Sequence, residues 1–201
     1  NMGIRSVAVY SKEDQNSLHV QLADQRVCIG EGPARNNYLN MERIITAARN
    51  VGADAIHPGF GFLSENADFV RLCDEYGIYV MDEANVESHN GRSQYKVPGS
   101  LPGYVQAAED RAINMLERDK NYPCVIMWSP GNETGAGDSL QAEIDYFQNN
   151  DDTRVVHYQG WNDNAGVDVW SNMYPNIGKQ VKNSKKPYLM CEYLHAMGNS
   201  C

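Results

Sequence analysis

Cys124-Val125-Ile126-Met127-Trp128-Ser129-Pro130-Gly131-Asn132-Glu133 is a short apolar run that breaks on Ser-Pro-Gly and arrives at an acid. A run of that length, bounded by turn residues, reads as a strand buried on both faces, as parallel strands are. The same form recurs on either side of it. Ile78–Met81 stops on Asp82-Glu83-Ala84-Asn85, and Tyr188–Cys191 stops on Glu192. Between these lie a helix over Tyr104–Arg118, with Val105, Ala108, Ala112, Met115 and Leu116 on one face, and a second over Ser139–Gln148. Arg154–Tyr158 reads as a further strand and Val167–Trp170 as a short weak one, while the Gly/Ser/Pro-rich stretch from Asn90 to Gly103 reads as loop. Strands alternating with helices predict a parallel α/β fold. In a parallel barrel the C-terminal strand ends, where these polar residues fall, are where active-site residues collect.

Upstream the pattern is also α/β. Ile4–Tyr10 alternates towards a buried strand, and Val27–Ile29 is a second strand closed by Gly30-Glu31-Gly32-Pro33. Asn40 caps a helix over Met41–Asn50, with Ile44, Ile45, Ala48 and Val51 at helical spacing. Ala53–Ile56 enters another strand, His57–Gly61 forms a loop, and Ser64 caps a helix that runs to about Tyr76.

Composition narrows the function classes. The chain of 201 residues carries a net charge of −9 and no basic run of five or more, which argues against nucleic acid and anionic membrane as partners. Its longest uncharged apolar stretches are too short to span a bilayer. The opening Asn1-Met2-Gly3-Ile4-Arg5 has no apolar core of a signal peptide and reads as a cut end. Five cysteines, widely spaced and without a C-x-x-C, fit thiols in a reducing cytoplasm better than a disulfide framework or zinc site.

The chemistry rests on two acids. Glu133 follows one strand and Glu192 another, and hydrolysis of a glycosidic bond needs two carboxyl groups facing each other across the anomeric carbon. One protonates the leaving oxygen while the other attacks or activates water. Either glutamate taken singly is far more often an ordinary solvated strand end. Their surroundings decide between these readings. Trp128-Ser129-Pro130-Gly131-Asn132-Glu133-Thr134-Gly135 and Cys191-Glu192-Tyr193-Leu194-His195-Ala196-Met197-Gly198-Asn199-Ser200 resemble the acid/base and nucleophile segments of β-galactosidases of glycoside hydrolase family 2. Asp82-Glu83-Ala84-Asn85-Val86-Glu87-Ser88-His89 resembles that family's upstream metal-site segment, and the resemblance extends over roughly residues 72–201.

That resemblance implies an incomplete TIM (β/α)8 barrel, with about five of its strands present. It implies a retaining double displacement on a β-galactoside such as lactose. Glu133 is then the general acid/base, Asn132 holds the sugar 2-hydroxyl, and Glu192 is the nucleophile. Tyr174 abuts the nucleophile and His195 contacts galactose. Glu87, His89 and Glu133 are implied ligands of Mg²⁺, an ion that normally keeps several waters and so needs few protein donors. A retaining mechanism sets the two carboxyl groups about 5–5.5 Å apart.

Residues 1–77 are similar to something else. Ala55-Ile56-His57-Pro58-Gly59-Phe60-Gly61-Phe62-Leu63-Ser64-Glu65-Asn66, with Gly3–Tyr10, Ala23-Asp24 and Tyr38-Leu39-Asn40, resembles the biotin carboxylase N-terminal domain, a Rossmann-like pre-ATP-grasp unit. The lysines, metal-binding glutamates and glycine-rich lid of ATP-grasp have no counterpart here, so no use of ATP or biotin is expected. The alternative function is accordingly a carboxylase-derived piece with a structural role or no independent one. The expected organisation is a chimera of a carboxylase-like fragment over 1–74 and a barrel fragment over 75–201. No Pro/Gly/Ser-rich linker separates them, as would be usual between two folded domains. Oligomeric state is not legible.

Overall fold

A computed structural model describes residues 5–56, 63, 66–88, 97–161, 166–174 and 185–192. The chain divides into two compact units, one spanning Asn1–Val80 and one spanning Met81–Leu194.

In the first unit, strands β1 (Val7–Ser11) and β2 (Gln25–Gly30) pair in parallel, from Val7 opposite Gln25 to Ser11 opposite Gly30. A parallel pair needs a crossover, and this one contains the short helix α1 (Leu18–Leu22), a stretch to which the sequence reading assigned no element. Helices α2 (Met41–Val51) and α3 (Ala67–Tyr76) follow. Each has an asparagine N-cap. Asn40 accepts from the Arg43 amide, and Asn66 accepts from the Asp68 and Phe69 amides, satisfying N–H groups the first turn leaves unpaired. Their apolar stripes bury Ile44, Ile45, Ala47 and Ala48 from α2 and Phe69, Val70 and Cys73 from α3. The expected strand Ala53–Ile56 reduces to a single parallel bridge between Ala55 and Tyr79. Its neighbours Ala53 and Asp54 alternate in exposure without a partner ladder, so the apolar letters there do not make a strand.

The second unit is a run of strands in chain order. β3 (Val80–Glu83), β4 (Val125–Ser129) and β5 (Val155–Val156) form one sheet in that order, and β6 (Trp170–Met173) pairs with β7 (Tyr188–Glu192) in another. β4 aligns Met127 with Val155 and Trp128 with Val156 in parallel, and β6 aligns Trp170 with Tyr188 in parallel. A parallel bridge between His157 and Val169 joins the end of β5 to the start of β6. Sequential neighbours, with one helix between β3 and β4 and another between β4 and β5, are the local topology of a (β/α)8 barrel, here over five strands. The weak strand expected over Val167–Trp170 lies further on, at Trp170–Met173. Val167 and Val169 are buried, so their apolar pattern marks packing, while the ladder to β7 starts only at Trp170.

Helices α4 (Val105–Asp119) and α5 (Asp138–Asn150) pack together and cover the sheet. Their buried faces are Ala108, Ala112, Met115 and Leu116 on α4, and Leu140, Ile144 and Phe147 on α5. Trp128 of β4 is fully buried and stacks on Phe147 with ring centroids 5.7 Å apart. Its indole N–H donates to Asp151 Oδ2 at 2.9 Å, and Asp151 also pairs with Arg154 at 2.7 Å. Arg154 in turn donates to the carbonyls of Val125, Lys120 and Tyr122, tying the start of β4 to the turn before β5. Among the described residues no helix is long and apolar enough to cross a membrane.

Candidate active site

The strands of the second unit carry their acids to one end. Glu192 is the last residue of β7, Glu83 is the last of β3, and Glu133 lies in the loop after β4. Alternation along β3 explains a division of labour between neighbours. Asp82 turns into the buried layer, where burial and the adjoining Asp119 carboxyl push it up to about 8, while Glu83 turns the other way.

The loop after β4 is built by close backbone approach. The Asn132 amide donates to Val86 O at 2.9 Å, and the Asn132 side chain donates to Glu87 Oε2 at 2.7 Å. Gly131 has a φ of 148°, and a Cβ there would stand 2.4 Å from Val86 O, so only glycine lets the two segments meet. Glu133 adopts a φ of 41°, a left-handed conformation uncommon for a non-glycine residue. Beyond it Thr134 is fully buried, with its hydroxyl 2.9 Å from that of Ser88 and its amide donating to the Tyr158 hydroxyl at 3.2 Å. The Tyr158 hydroxyl donates to Gly135 O at 2.7 Å.

At the end of β7, Tyr174 lies against Glu192. The Tyr174 hydroxyl donates to the Glu192 carboxylate, and the Tyr174 amide donates to Glu192 O at 2.8 Å. Loss of solvation at its hydroxyl, then the hydrogen bond to Glu192 and that residue's charge, push the Tyr174 phenol up to about 12. Tyr174 too has a positive φ, 45°, so both chain segments that carry site residues bend sharply at the strand ends.

Glu83 links the two ends electrostatically, and sequence reasoning assigned it no role. It accepts from the Ser129 hydroxyl at 2.7 Å, which lowers its pKa, but desolvation outweighs this and raises the carboxyl. The negative charges of Glu87 and Glu192 raise it further. Its signal was present in the sequence: it is the acid at the strand end within Asp82-Glu83-Ala84-Asn85, and its alternation with Asp82 points it away from the core. Ser129 and Tyr158 were likewise passed over, the first as a turn residue and the second as the last residue of a strand.

The structure thus brings Glu87 to Asn132 and Tyr174 to Glu192, and sets Glu83 within electrostatic reach of both carboxylates. His89 and His195 lie outside the described residues. Among the described residues no three His, Cys, Asp or Glu side chains cluster as a metal site.

Comparisons with known proteins fall on the two units differently. The TIM barrel domain of glycosyl hydrolases family 2 matches residues 63–201, and the biotin carboxylase N-terminal domain matches residues 1–83. A β-galactosidase of Priestia megaterium is 44% identical over 144 residues, covering 65% of this chain and 14% of that protein. One from Clostridium acetobutylicum is 44% identical over 144 residues, covering 65% of this chain and 16% of that protein. The chain therefore spans less than a fifth of the length of these curated relatives. Among solved structures, the biotin carboxylase domain of a thermophilic 2-oxoglutarate carboxylase, bound to bicarbonate, is 51% identical, with a TM-score of 0.36, covering 38% of this chain and 17% of that one.

Proposed function

The chain belongs to the glycosyl hydrolases family 2 through its TIM barrel domain, and from that premise we propose that it carries the two-glutamate centre of a retaining β-galactosidase. The supporting observation is that β4 and β7, members of one succession of parallel strands, lead at their C-terminal ends to Glu133 and Glu192. Glu192 attacks the anomeric carbon of a terminal β-galactoside such as lactose. Glu133 first protonates the departing oxygen and then deprotonates the water that releases galactose. The Tyr174 hydroxyl, which already donates to Glu192, orients the nucleophile and tempers its charge. Asn132 is set to meet the sugar 2-hydroxyl, and His195 to contact galactose.

Glu87, His89 and Glu133 would hold Mg²⁺. When bound, the ion supplies positive charge that offsets the crowding of Glu83, Glu87 and Glu192 and fixes the carboxylates. Among the described residues Cys28, Cys73 and Cys191 are free cysteines, and a reducing, cytoplasmic setting suits them.

The test is a pair of substitutions assayed with aryl β-galactosides of differing leaving-group ability. Glu192→Gln abolishes turnover and prevents covalent trapping by a 2-fluoro galactoside. Glu133→Gln costs on the order of 10²–10⁴-fold with poor leaving groups and far less with good ones, because protonation matters least when the aglycone departs easily. An equal loss across leaving groups would argue against the acid/base role. A trapped sugar on Glu192→Gln would remove the nucleophile assignment.

A further inference from the structure

We infer that Tyr158 is a positioning residue for the acid/base glutamate: its buried hydroxyl clamps the peptide on the C-terminal side of Glu133 and so holds that residue in its left-handed conformation. The role rests on the reading of Glu133 given above, while the clamp itself rests on geometry alone.

Glu133 sits at a φ of 41°, and such backbone persists only when the surroundings over-determine it. The loop is held on both sides of Glu133. One peptide before it on the N-terminal side, the amide joining Gly131 to Asn132 donates to Val86 O at 2.9 Å. On the C-terminal side, the amide joining Glu133 to Thr134 donates to the Tyr158 hydroxyl at 3.2 Å. That hydroxyl donates its own hydrogen bond to Gly135 O at 2.7 Å, so one oxygen bridges the 133–134 and 135–136 peptides of the loop. Tyr158 is fully buried at the end of the β5 segment, and Thr134 is fully buried beside it. With water excluded, no solvent molecule substitutes cheaply for the phenol.

The loop has little freedom to relax in any other direction. A Cβ at Gly135 would stand 2.7 Å from Val97 Cγ2, and the Thr134 hydroxyl is already engaged with Ser88. The phenol is well suited to its place. Burial raises its pKa, which keeps it a neutral donor and acceptor throughout the range where a glycosidase works. A phenylalanine would keep the ring's packing while removing both bonds.

The test is Tyr158→Phe in the full chain, read first by amide hydrogen exchange. The Thr134 amide is expected to exchange about tenfold faster, the effect of losing roughly one hydrogen bond, while the core amides of Val125–Trp128 keep their protection. Turnover of poor leaving groups is expected to fall about 10–100-fold, with KM unchanged and good leaving groups spared, because a displaced acid fails at protonation rather than at binding. Unchanged Thr134 protection in a folded variant overturns the proposal, as does an activity loss equal for good and poor leaving groups. If the variant does not fold, the parent chain decides: rapid exchange at Thr134 in that chain overturns the clamp. If the parent chain hydrolyses no galactoside, the reading of Glu133 fails on that arm, and the exchange data judge the clamp separately.

Discussion

Glu143 is the most exacting single residue in the second unit. It lies on the buried face of α5, fully shielded from solvent, and neither carboxyl oxygen has a hydrogen-bond partner among the described residues. Burial pushes its carboxyl up to about 9, against a slight pull down from Arg111. The residue is therefore a protonated acid in the fold and an ionised one in the unfolded chain at neutral pH. With the folded value raised, its contribution to stability is fully present below about pH 4, the unfolded range, and is lost as pH rises towards 9. Glu143→Met, which keeps an unbranched chain of similar length, should raise stability at pH 7 by on the order of 2–3 kcal/mol and flatten this decline. Part of the slope should remain, because Asp82, pushed up to about 8, falls in the same window. His157 shapes the other limb. Burial pushes it down to about 4, so the folded state loses stability as pH falls from roughly 6.5 towards 4. Urea titrations of parent and variant between pH 4 and 9 provide the check, and a pH-independent difference would refute the assignment.

Among the elements, the junction of β4, α5 and β5 depends on Asp151, immediately after α5. Its carboxylate gathers the Trp128 indole, the Thr153 amide and hydroxyl, and the Arg154 guanidinium. Burial alone would raise its pKa, but those donors outweigh it and hold the acid at about 2. A depressed acid contributes stability above the unfolded value near 3.9 and loses it as pH falls towards 2. Asp151→Asn weakens all four contacts and leaves Arg154 without its charge partner. The expected cost is about 2–3 kcal/mol at neutral pH, with the difference narrowing in acid. Tryptophan fluorescence can follow this, since Trp128, Trp161 and Trp170 all fall in the second unit. A variant as stable as its parent at pH 7 would mean that the network is ornamental.

At the scale of the whole chain, two families meet within residues 63–83, where their matches overlap. The division of the structure between Val80 and Met81 falls in the same stretch. Each unit buries its own apolar residues, around α2 and α3 in one and around α4 and α5 in the other. Independent cores of this kind are expected to unfold in separate steps, in which case a single unfolding free energy is not defined for the chain. Fluorescence reports only the second unit, because all three tryptophans lie there, whereas far-ultraviolet circular dichroism reports both. The two denaturation curves should therefore not coincide. Superimposable curves would show that the units fold as one.

What the amino-acid sequence determined by itself was local and repetitive. Strand, turn and acid recur at Ile78–Glu83, Cys124–Glu133 and Tyr188–Glu192, and the asparagine cap at Asn40 was legible from its neighbours. Period and punctuation are properties of consecutive residues, so they survive without coordinates. The expectations for Glu133 and Glu192 came from the long strings in which they stand, and that for Tyr174 from the resemblance those strings carry. Tertiary structure decided what depends on residues far apart in the chain. Val167 and Val169 look like a strand in sequence, but Val169 enters only a single bridge, to His157, and the ladder to β7 starts at Trp170. Glu83 became notable only when β3 and β7 set it near Glu87 and Glu192, for a carboxylate's pKa answers to charges in space. Tyr158 and Thr134 are separated by 24 positions; nothing in either neighbourhood announces the other, and a buried hydroxyl acquires its role only from the amide that the fold brings to it.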